Sequence, residues 1–507
     1  MASMLPMNRS VLGVTCVKNL SPIIVTESWI QRDSDGTWLL PAFADRHCHP
    51  LFAARESASF QISEHLDVDG IVGTLASFIN DNPNLPWLDV TSFDQDLPED
   101  FTAKRLDVAS RNIPIVIHSA DRHSLWVNSA ALSKAGLLDS APALKEGEVV
   151  LGEDNRPMGL IREWSAMQLV LNEQPSPTLP EDISYLSSAD KKLKDAGFIT
   201  IADAWIDPGM FEAYLAAAET NKLDLNYDLW FRVAQGESDE QLRYLRASLE
   251  RLSSLRAKVG CQTIAIAGVK IFLDGVISSK TAALEGGYID VASPSPLWSK
   301  DALNEMLVEL AQISPDLRPH FHAIGDAAVS LALDAIDTAR ANNIWSGAAR
   351  PVIAHAELVL ERDLPRFDLL DVEVVMSPQW LANSLEDERA NAALPYSKRA
   401  VLGDFNRLTS AGALVTFGSD WPVSEPNAMA AIATGFSWLS GRNGRPESEA
   451  AVRRDTAKNL EMLWRIASGP AWRNSGHRLR FDLNPLEVAL SDPEELSRLT
   501  FEPVTMT

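Results

Sequence analysis

Cysteine and basic residues are scarce in this chain of 507 residues. Its cysteines, Cys16, Cys48 and Cys261, are widely spaced, so they give no disulfide framework and favour a reducing compartment. Lysine and arginine number 45 against 69 acidic residues, and the net charge of −24 argues against nucleic acid and anionic membranes as partners. Met1 to Leu20 has no apolar run long enough for a signal or membrane segment, so we expect a cytoplasmic protein.

Internal repeats and low-complexity tracts are also absent, while 46% of the residues are hydrophobic. The chain can therefore bury a large core, and we expect one large domain with smaller attachments. Short alternating apolar segments from Val11 to Leu40 are broken by Asp33-Ser34-Asp35-Gly36, which predicts a hairpin. Alternating segments return from about Arg478 to Thr507, and we pair the two chain ends as a small β domain.

Short β-branched runs alternate with amphipathic helical stretches over most of the chain. This alternation is typical of βα units around a parallel sheet. The run into His47 counts as one strand, and seven later runs give eight, the number that closes a (β/α)8 barrel. Those later runs are 198–202, 225–231, 264–273, 319–322, 352–355, 372–376 and 414–417. A strand-like run from Ile113 to His118 is surplus, and we assign it to an insertion after the first barrel strand.

The predicted fold class is therefore α/β, a TIM-like (β/α)8 barrel with a small β-sandwich domain built from both chain ends. We place the small domain at 1–40 and 471–507, and the barrel at 41–470. The insertion is expected at about 53–190, as helices and loops with acidic and proline-containing breaks.

An apolar run from Leu39 stops at two histidines one residue apart, His47 and His49. In an extended strand alternate side chains point to the same side, so both rings can hold one ion while Cys48 faces away. Such a pair is weak evidence alone, because strand-end histidines are often hydrogen-bonded fillers. Further candidates end other predicted strands, where a barrel carries its active site.

The six candidate metal ligands, which include four of the nine histidines, are His47, His49, Lys270, His322, His355 and Asp420. Each alone could be a satisfied core residue or a helix cap. Together they indicate a site, because titratable groups that converge in one cleft mark one.

At these residues the chain resembles the amidohydrolase superfamily, and specifically the amidohydrolase 3 branch that includes N-substituted formamide deformylase-like enzymes. The resemblance spans about 37–470. It rests on Pro41 to His49, Gly268 to Gly275, His322 to Asp326, Ala354 to Glu357 and Gly418 to Pro422, with Asp121 to Asn128 and Gly159 to Glu163 in the insertion.

The resemblance implies a centre of two divalent metal ions, most simply zinc. His47, His49 and Asp420 would hold one ion, His322 and His355 the other, and Lys270, carboxylated by carbon dioxide, would bridge both. Burial favours the neutral lysine amine that forms such a carbamate. The implied chemistry is hydrolysis by a metal-activated hydroxide, with Asp420 as the catalytic proton carrier.

Four further residues are candidates for substrate binding: His123, Trp126, Gln379 and Trp421. For the tryptophans and the glutamine the alternative is core packing, and for His123 it is a helix cap. His320 shares a strand face with His322, and we interpret it as a support or packing residue. The leader is short, and a clear closing strand pair is missing at the C-terminus.

The leading functional hypothesis is a hydrolase of a non-peptide C–N bond in a small molecule, an N-acyl or N-formyl amine. An isomerase or lyase on the same barrel, or a catalytically silent binding protein, remains as an alternative. The sequence does not determine the oligomeric state of the protein, and a homodimer is one form that it allows.

Overall fold

A computed structural model describes residues 29–62, 66–93, 101–110, 112–119, 122–144, 147–260, 262–345, 350–381, 390–442, 449–470 and 477–505. The predicted leader segments before residue 29, and Cys16, Asp121 and Cys261, lie outside these ranges. The described strands are β1 (Gln31–Arg32), β2 (Trp38–Pro41), β3 (Phe43–Cys48), β4 (Phe60–Gln61), β5 (Leu88–Phe93), β6 (Ile115–Ser119), β7 (Ser124–Val127), β8 (Glu148–Leu151), β9 (Pro157–Arg162), β10 (Phe198–Ile206), β11 (Asn226–Val233), β12 (Ile264–Phe272), β13 (Arg318–Ala323), β14 (Val352–His355), β15 (Glu373–Met376), β16 (Leu414–Phe417), β17 (His477–Phe481) and β18 (Phe501–Thr505).

Helices connect most of these strands. The described α-helices are Pro50–Ser57, Val68–Asp81, Ala103–Leu106, Ser129–Lys134, Trp164–Leu171, Leu179–Asp195, Pro208–Glu219, Ser238–Val259, Lys300–Ile313, Asp326–Ala341, Leu364–Leu369, Tyr396–Arg399, Phe405–Ser410, Ala428–Arg442, Glu449–Ser468 and Pro485–Ser491. Two 3-10 helices cover Pro378–Leu381 and Pro493–Arg498. Within the described part of the chain, no helix is both long and apolar enough to cross a membrane.

Eight parallel strands form the predicted barrel, in the order β3-β10-β11-β12-β13-β14-β15-β16. Its strands are almost wholly buried because helices cover the outside, which explains their continuous β-branched runs. The seam between the last and first strands closes just beyond β16. There the Asp420 amide donates to the His47 carbonyl over 2.8 Å, and the His49 amide donates to the Trp421 carbonyl over 2.8 Å. The fold class predicted from sequence is confirmed.

The chain ends form a separate antiparallel sheet in the order β1-β2-β17-β18. The predicted hairpin joins β1 to β2, and its turn is stabilised by the Asp35 carboxylate, which accepts from the Thr37 amide over 2.9 Å. The strand pair that the sequence did not reveal at the C-terminus is present as β17 and β18, separated by the helix Pro485–Ser491.

The insertion between β3 and β10 contains a six-stranded sheet in the order β4-β5-β6-β7-β9-β8. This corrects the expectation of helices and loops with a single strand, which is β6. Alternate residues of the sheet face two separate apolar cores: Ile115 and Ile117 pack with helix Val68–Asp81, whereas Val116 packs towards helices Ser129–Lys134 and Trp164–Leu171. The remaining strands are short or lie beside polar turns. The alternation of apolar and polar residues that indicates a strand is therefore weak in their sequences.

Candidate metal centre and active-site cavity

A cavity of about 1700 Å³ opens at the carboxyl ends of the barrel strands. All six candidate ligands line it, together with His123 from the insertion: His47, His49, Lys270, His322, His355 and Asp420. They come from five different strands or the residues just after them, so the βα connectivity brings together residues that are far apart in the sequence.

His47, His49 and Asp420 meet at the barrel seam. The Oδ1 atom of Asp420 lies 3.3 Å from His47 Nε2 and 3.1 Å from His49 Nε2. The two backbone hydrogen bonds of the seam set this geometry, because they fix the strand ends that carry all three side chains. His47, His355 and Asp420 also form a buried group whose possible ligand atoms lie within 4.8 Å of one another.

Lys270 lies in β12 with no exposed surface, and its Nζ is 3.2 Å from His47 Nε2. Burial lowers the pKa of Lys270 to about 7, so the amine loses its proton far more readily than a surface lysine. Burial and the nearby Lys270 charge lower the pKa of His47 to about 3, so its imidazole is neutral near pH 7.

His322 and His355 complete the group, with ring centroids 4.6 Å apart. Burial lowers the pKa of both rings well below the ordinary value, so both are neutral. His322 Nε2 donates to the Gly275 carbonyl over 3.3 Å, whereas His355 Nε2 is buried without a hydrogen-bond partner among the described residues. His355 adopts a left-handed backbone with φ 75°, and Asp420 does the same with φ 54°. Strained backbone of this kind concentrates at functional sites.

His320 is a neighbour of the ligand group. Its Nε2 lies 2.8 Å from His47 Nδ1, so one of these two nitrogens donates a proton to the other. When His47 Nδ1 is the donor, its Nε2 is left unprotonated on the side of Lys270 and Asp420. A hydrogen bond of this kind fixes the tautomer of a ligating histidine.

Asp420 is the anion of the group. Burial would raise the pKa of its carboxyl, but the adjacent His47 and His49 outweigh burial and hold this pKa well below the usual range. The site therefore combines four imidazoles, one readily deprotonated amine and one carboxylate within a buried volume.

The structure separates the four substrate-binding candidates. His123 lines the cavity. Trp126 is fully buried in the insertion and donates from Nε1 to the Thr102 carbonyl over 3.0 Å. Gln379 donates to Ser424 Oγ over 2.9 Å, beside the seam. Trp421 is 4% exposed, and the Lys192 ammonium lies 4.8 Å from its ring centroid. Within the described residues, Trp126, Gln379 and Trp421 do not line the cavity.

Sequence reasoning missed a row of aromatic side chains beside the ligands, which we call the aromatic wall: Phe52, Trp164, Trp205 and Phe272. Trp205 is at its centre, with ring centroids 5.7 Å from Phe52, 4.5 Å from Trp164 and 5.0 Å from Phe272. Phe272 also stacks on His322 at 4.9 Å. Trp205 and Phe272 end β10 and β12, so the strand-end rule that found the ligands could have found both residues.

Arg232, also missed, borders the aromatic wall. Its guanidinium lies 5.5 Å from the Trp205 ring centroid and pairs with Asp207 at 3.4 Å and Glu237 at 3.6 Å. The cavity therefore has an apolar side next to the ligands and a charged rim beyond it.

A family model described as the amidohydrolase family matches residues 32–480, and the chain therefore belongs to that family. The resemblance seen in the motifs is confirmed.

Two curated relatives and one solved structure resemble between 70% and 90% of the chain. It is 27% identical over 372 residues to the exoenzymes regulatory protein AepA of Pectobacterium carotovorum subsp. carotovorum, covering 70% of this chain and 77% of the relative. It is 25% identical over 419 residues to protein LONG AFTER FAR-RED 3 of Arabidopsis thaliana, covering 79% and 68%. The crystal structure of an uncharacterized metal-dependent hydrolase from Pyrococcus horikoshii OT3 shares the fold, with a TM-score of 0.64, 19% identity and 90% and 88% coverage.

Proposed function

We propose that this protein is a metal-dependent hydrolase of small N-acyl or N-formyl amines, with two divalent metal ions, most simply zinc, held beside a carboxylated Lys270. The observation that carries the proposal is the contact of Asp420 Oδ1 with both His47 Nε2 and His49 Nε2, next to the buried amine of Lys270. A cytoplasmic location and a homodimer stay predictions.

The donor set fits metal ions. His355 Nε2 and His49 Nδ1 are buried without hydrogen-bond partners among the described residues, and unpaired buried polar atoms are costly unless something binds them. All the imidazoles with a lowered pKa are neutral, as metal ligands must be. Six donors exceed the four that one tetrahedral ion needs, which supports two ions.

His47, His49 and Asp420 would hold one ion and His322 and His355 the other, with Lys270 between them. Divalent ions bound there would supply the chemistry of this class, a lowered pKa of water and polarisation of a substrate carbonyl. Asp420 would be the proton carrier, because a carboxylate beside the ions could accept a proton from water and return it to the leaving nitrogen.

The lining of the cavity favours a small substrate that has an apolar part. The aromatic wall faces the ligands, so an apolar group attached near the scissile bond has a surface to pack on. The insertion contributes Trp164 to this wall.

The test measures metal by elemental analysis and then screens N-acyl and N-formyl amines. We expect close to two ions per chain and release of amine and carboxylate in equal amounts. Asp420→Asn is expected to lower kcat by at least about 100-fold, in line with loss of a general acid–base. A fully metal-loaded protein that hydrolyses none of these amides, or that yields an isomer or an elimination product, would refute the proposal.

A further inference from the structure

Glu163 has an unusual backbone for a buried acidic residue. It lies between β9 and helix Trp164–Leu171 with φ 64° and ψ 153°, a region that is almost confined to glycine. Its side chain is buried and does not cap the helix that follows it. The protein therefore maintains an unfavourable conformation here without gaining a helix cap from it.

The side chain of Glu163 reaches His123 instead. The Nδ1–H group of His123 donates to Glu163 Oε2 over 2.9 Å, and the Glu163 amide donates to the His123 carbonyl over 2.9 Å. Burial would raise the pKa of Glu163, but the contact with His123 outweighs burial and keeps this pKa below its ordinary value. The two residues are thus joined by both backbone and side chain.

The pair sits where the insertion meets the barrel. Both residues line the cavity, and a Cβ atom added at Gly275, which follows β12, would lie 3.2 Å from Glu163 Oε1. His123 lines the same cavity as His322 and the other candidate ligands. The insertion therefore brings one imidazole to the barrel site through Glu163.

We propose that Glu163 is a positioning residue: its strained turn directs the carboxylate onto His123 and holds that ring against the bound substrate. A carboxylate that accepts from Nδ1–H fixes both the tautomer and the orientation of an imidazole. Pre-orientation of a substrate contact lowers the entropy cost of reaching the transition state. This inference rests on the proposed hydrolase function for the identity of the substrate, but the geometry of the pair does not.

Kinetics of four variants test the role. The hydrolysable N-acyl amine found in the screen is the probe, and metal content is measured in every sample. Glu163→Gly and His123→Ala are each expected to lower kcat/KM at least about tenfold with metal content unchanged, and the double variant to be no worse than His123→Ala. Glu163→Gln, which keeps an acceptor oxygen, should retain more activity than Glu163→Gly.

The matched control is Asn155→Gly, because Asn155 is an exposed insertion residue that also has a positive φ, 60°. This variant removes left-handed strain away from the cavity and should leave kcat/KM within about twofold. Losses that add up in the double variant would show that Glu163 does not act through His123, and would overturn the proposal.

A second measurement does not depend on hydrolysis. In protein labelled with ¹⁵N-histidine, the signals of His123 are assigned by their absence in His123→Ala. Wild type should show Nδ1 protonated and Nε2 unprotonated, and Glu163→Gly should show a mixture of tautomers. If the signals of His123 are the same in both proteins, Glu163 does not position the ring, whether or not the protein is a hydrolase.

Discussion

At the scale of single residues, the site depends on moving ionisable groups out of water. Lys270 has no exposed surface, and burial lowers its pKa to about 7, which is the condition that carbamate formation needs. Its neighbour His47 is neutral for the same reason. Asp420 remains ionised because two imidazoles contact its Oδ1. The chemistry of these residues is thus decided by burial and by one another.

We predict that Lys270→Ala loses metal and activity together, because the carbamate is the group expected to bridge the ions. Lys270→Arg should fail as well, since a guanidinium stays charged and cannot take up carbon dioxide. We expect metal affinity to fall by at least about 10–100-fold in both, as measured by elemental analysis after dialysis. Small carboxylic acids should partly restore metal and turnover in Lys270→Ala.

The control for this experiment is Lys104→Ala, which alters an exposed lysine of the insertion and should keep full metal content. Normal metal content and turnover in Lys270→Arg would exclude a bridging role for Lys270.

At the scale of secondary-structure elements, the barrel seam is the feature that brings His47, His49 and Asp420 together. A Cβ atom added at Gly418 would lie 2.7 Å from His47 Cβ and 2.7 Å from Val375 Cγ1, so the residues after β16 can approach β3 only with glycine there. Asp45 supports the same junction, because its Oδ1 accepts from the amides of Ser419 and His47 at 3.1 and 3.2 Å.

Gly418→Ala is therefore expected to push β3 and the end of β16 apart. Overpacking of this kind costs about 1–3 kcal/mol of unfolding free energy, and the shift of His47 against Asp420 should also weaken metal binding. Denaturant titration of the metal-free protein and a metal titration measure the two effects separately.

Gly73→Ala is the matched control, because an added Cβ would meet nothing within 4 Å on the exposed side of helix Val68–Asp81. This change should raise stability by about 0.5–1 kcal/mol, since glycine is a poor residue in a helix interior. A Gly418→Ala protein with wild-type stability and metal affinity would contradict this account of the seam.

At the scale of the whole molecule, a buried ion cluster ties opposite sides of the barrel together. Arg46 donates from Nε and Nη2 to Glu373 over 2.9 and 3.1 Å, and from Nη1 to Asp228 over 3.0 Å. Thr416 donates to Glu373 over 2.9 Å. These residues belong to β3, β11, β15 and β16, so the cluster crosses the barrel interior.

We predict that Glu373 makes global stability depend on pH in the acid range. Burial would raise its pKa, but Arg46 outweighs burial and holds this pKa below the ordinary value of 4.5. The stability that the carboxylate contributes is therefore complete above about pH 4.5 and is lost as the pH falls through the lower pKa of the folded state. At neutral pH, Glu373→Gln should lose about 3–5 kcal/mol, because Arg46 is left without its buried partner.

Denaturant titrations from pH 7 to pH 3 check this prediction. The stability gap between wild type and Glu373→Gln should shrink as the pH falls below about 4.5. Asp195→Asn, which breaks the exposed pair with Lys191, should cost under about 1 kcal/mol across the range. A gap that stayed constant down to pH 3 would show that Glu373 is not the titrating group.

The sequence by itself determined the barrel and the group of candidate metal ligands at its strand ends. Buried parallel strands appear as continuous apolar runs, so the runs at 352–355 and 414–417 coincide with β14 and β16. Because all barrel strands point the same way, residues at their ends meet in one place. His322 and His355 could therefore be assigned to the same site although they come from separate strands.

Tertiary structure alone decided which other side chains reach the cavity. Trp126 lies three residues after His123, which lines the cavity, yet β7 places its side chain in the insertion core with Ile115 and Ile117. Trp164 and Glu163 enter the cavity only because the insertion sheet folds over the barrel. Such contacts depend on the packing of one domain against another, and a periodic pattern along the chain records burial without recording which partner buries each residue.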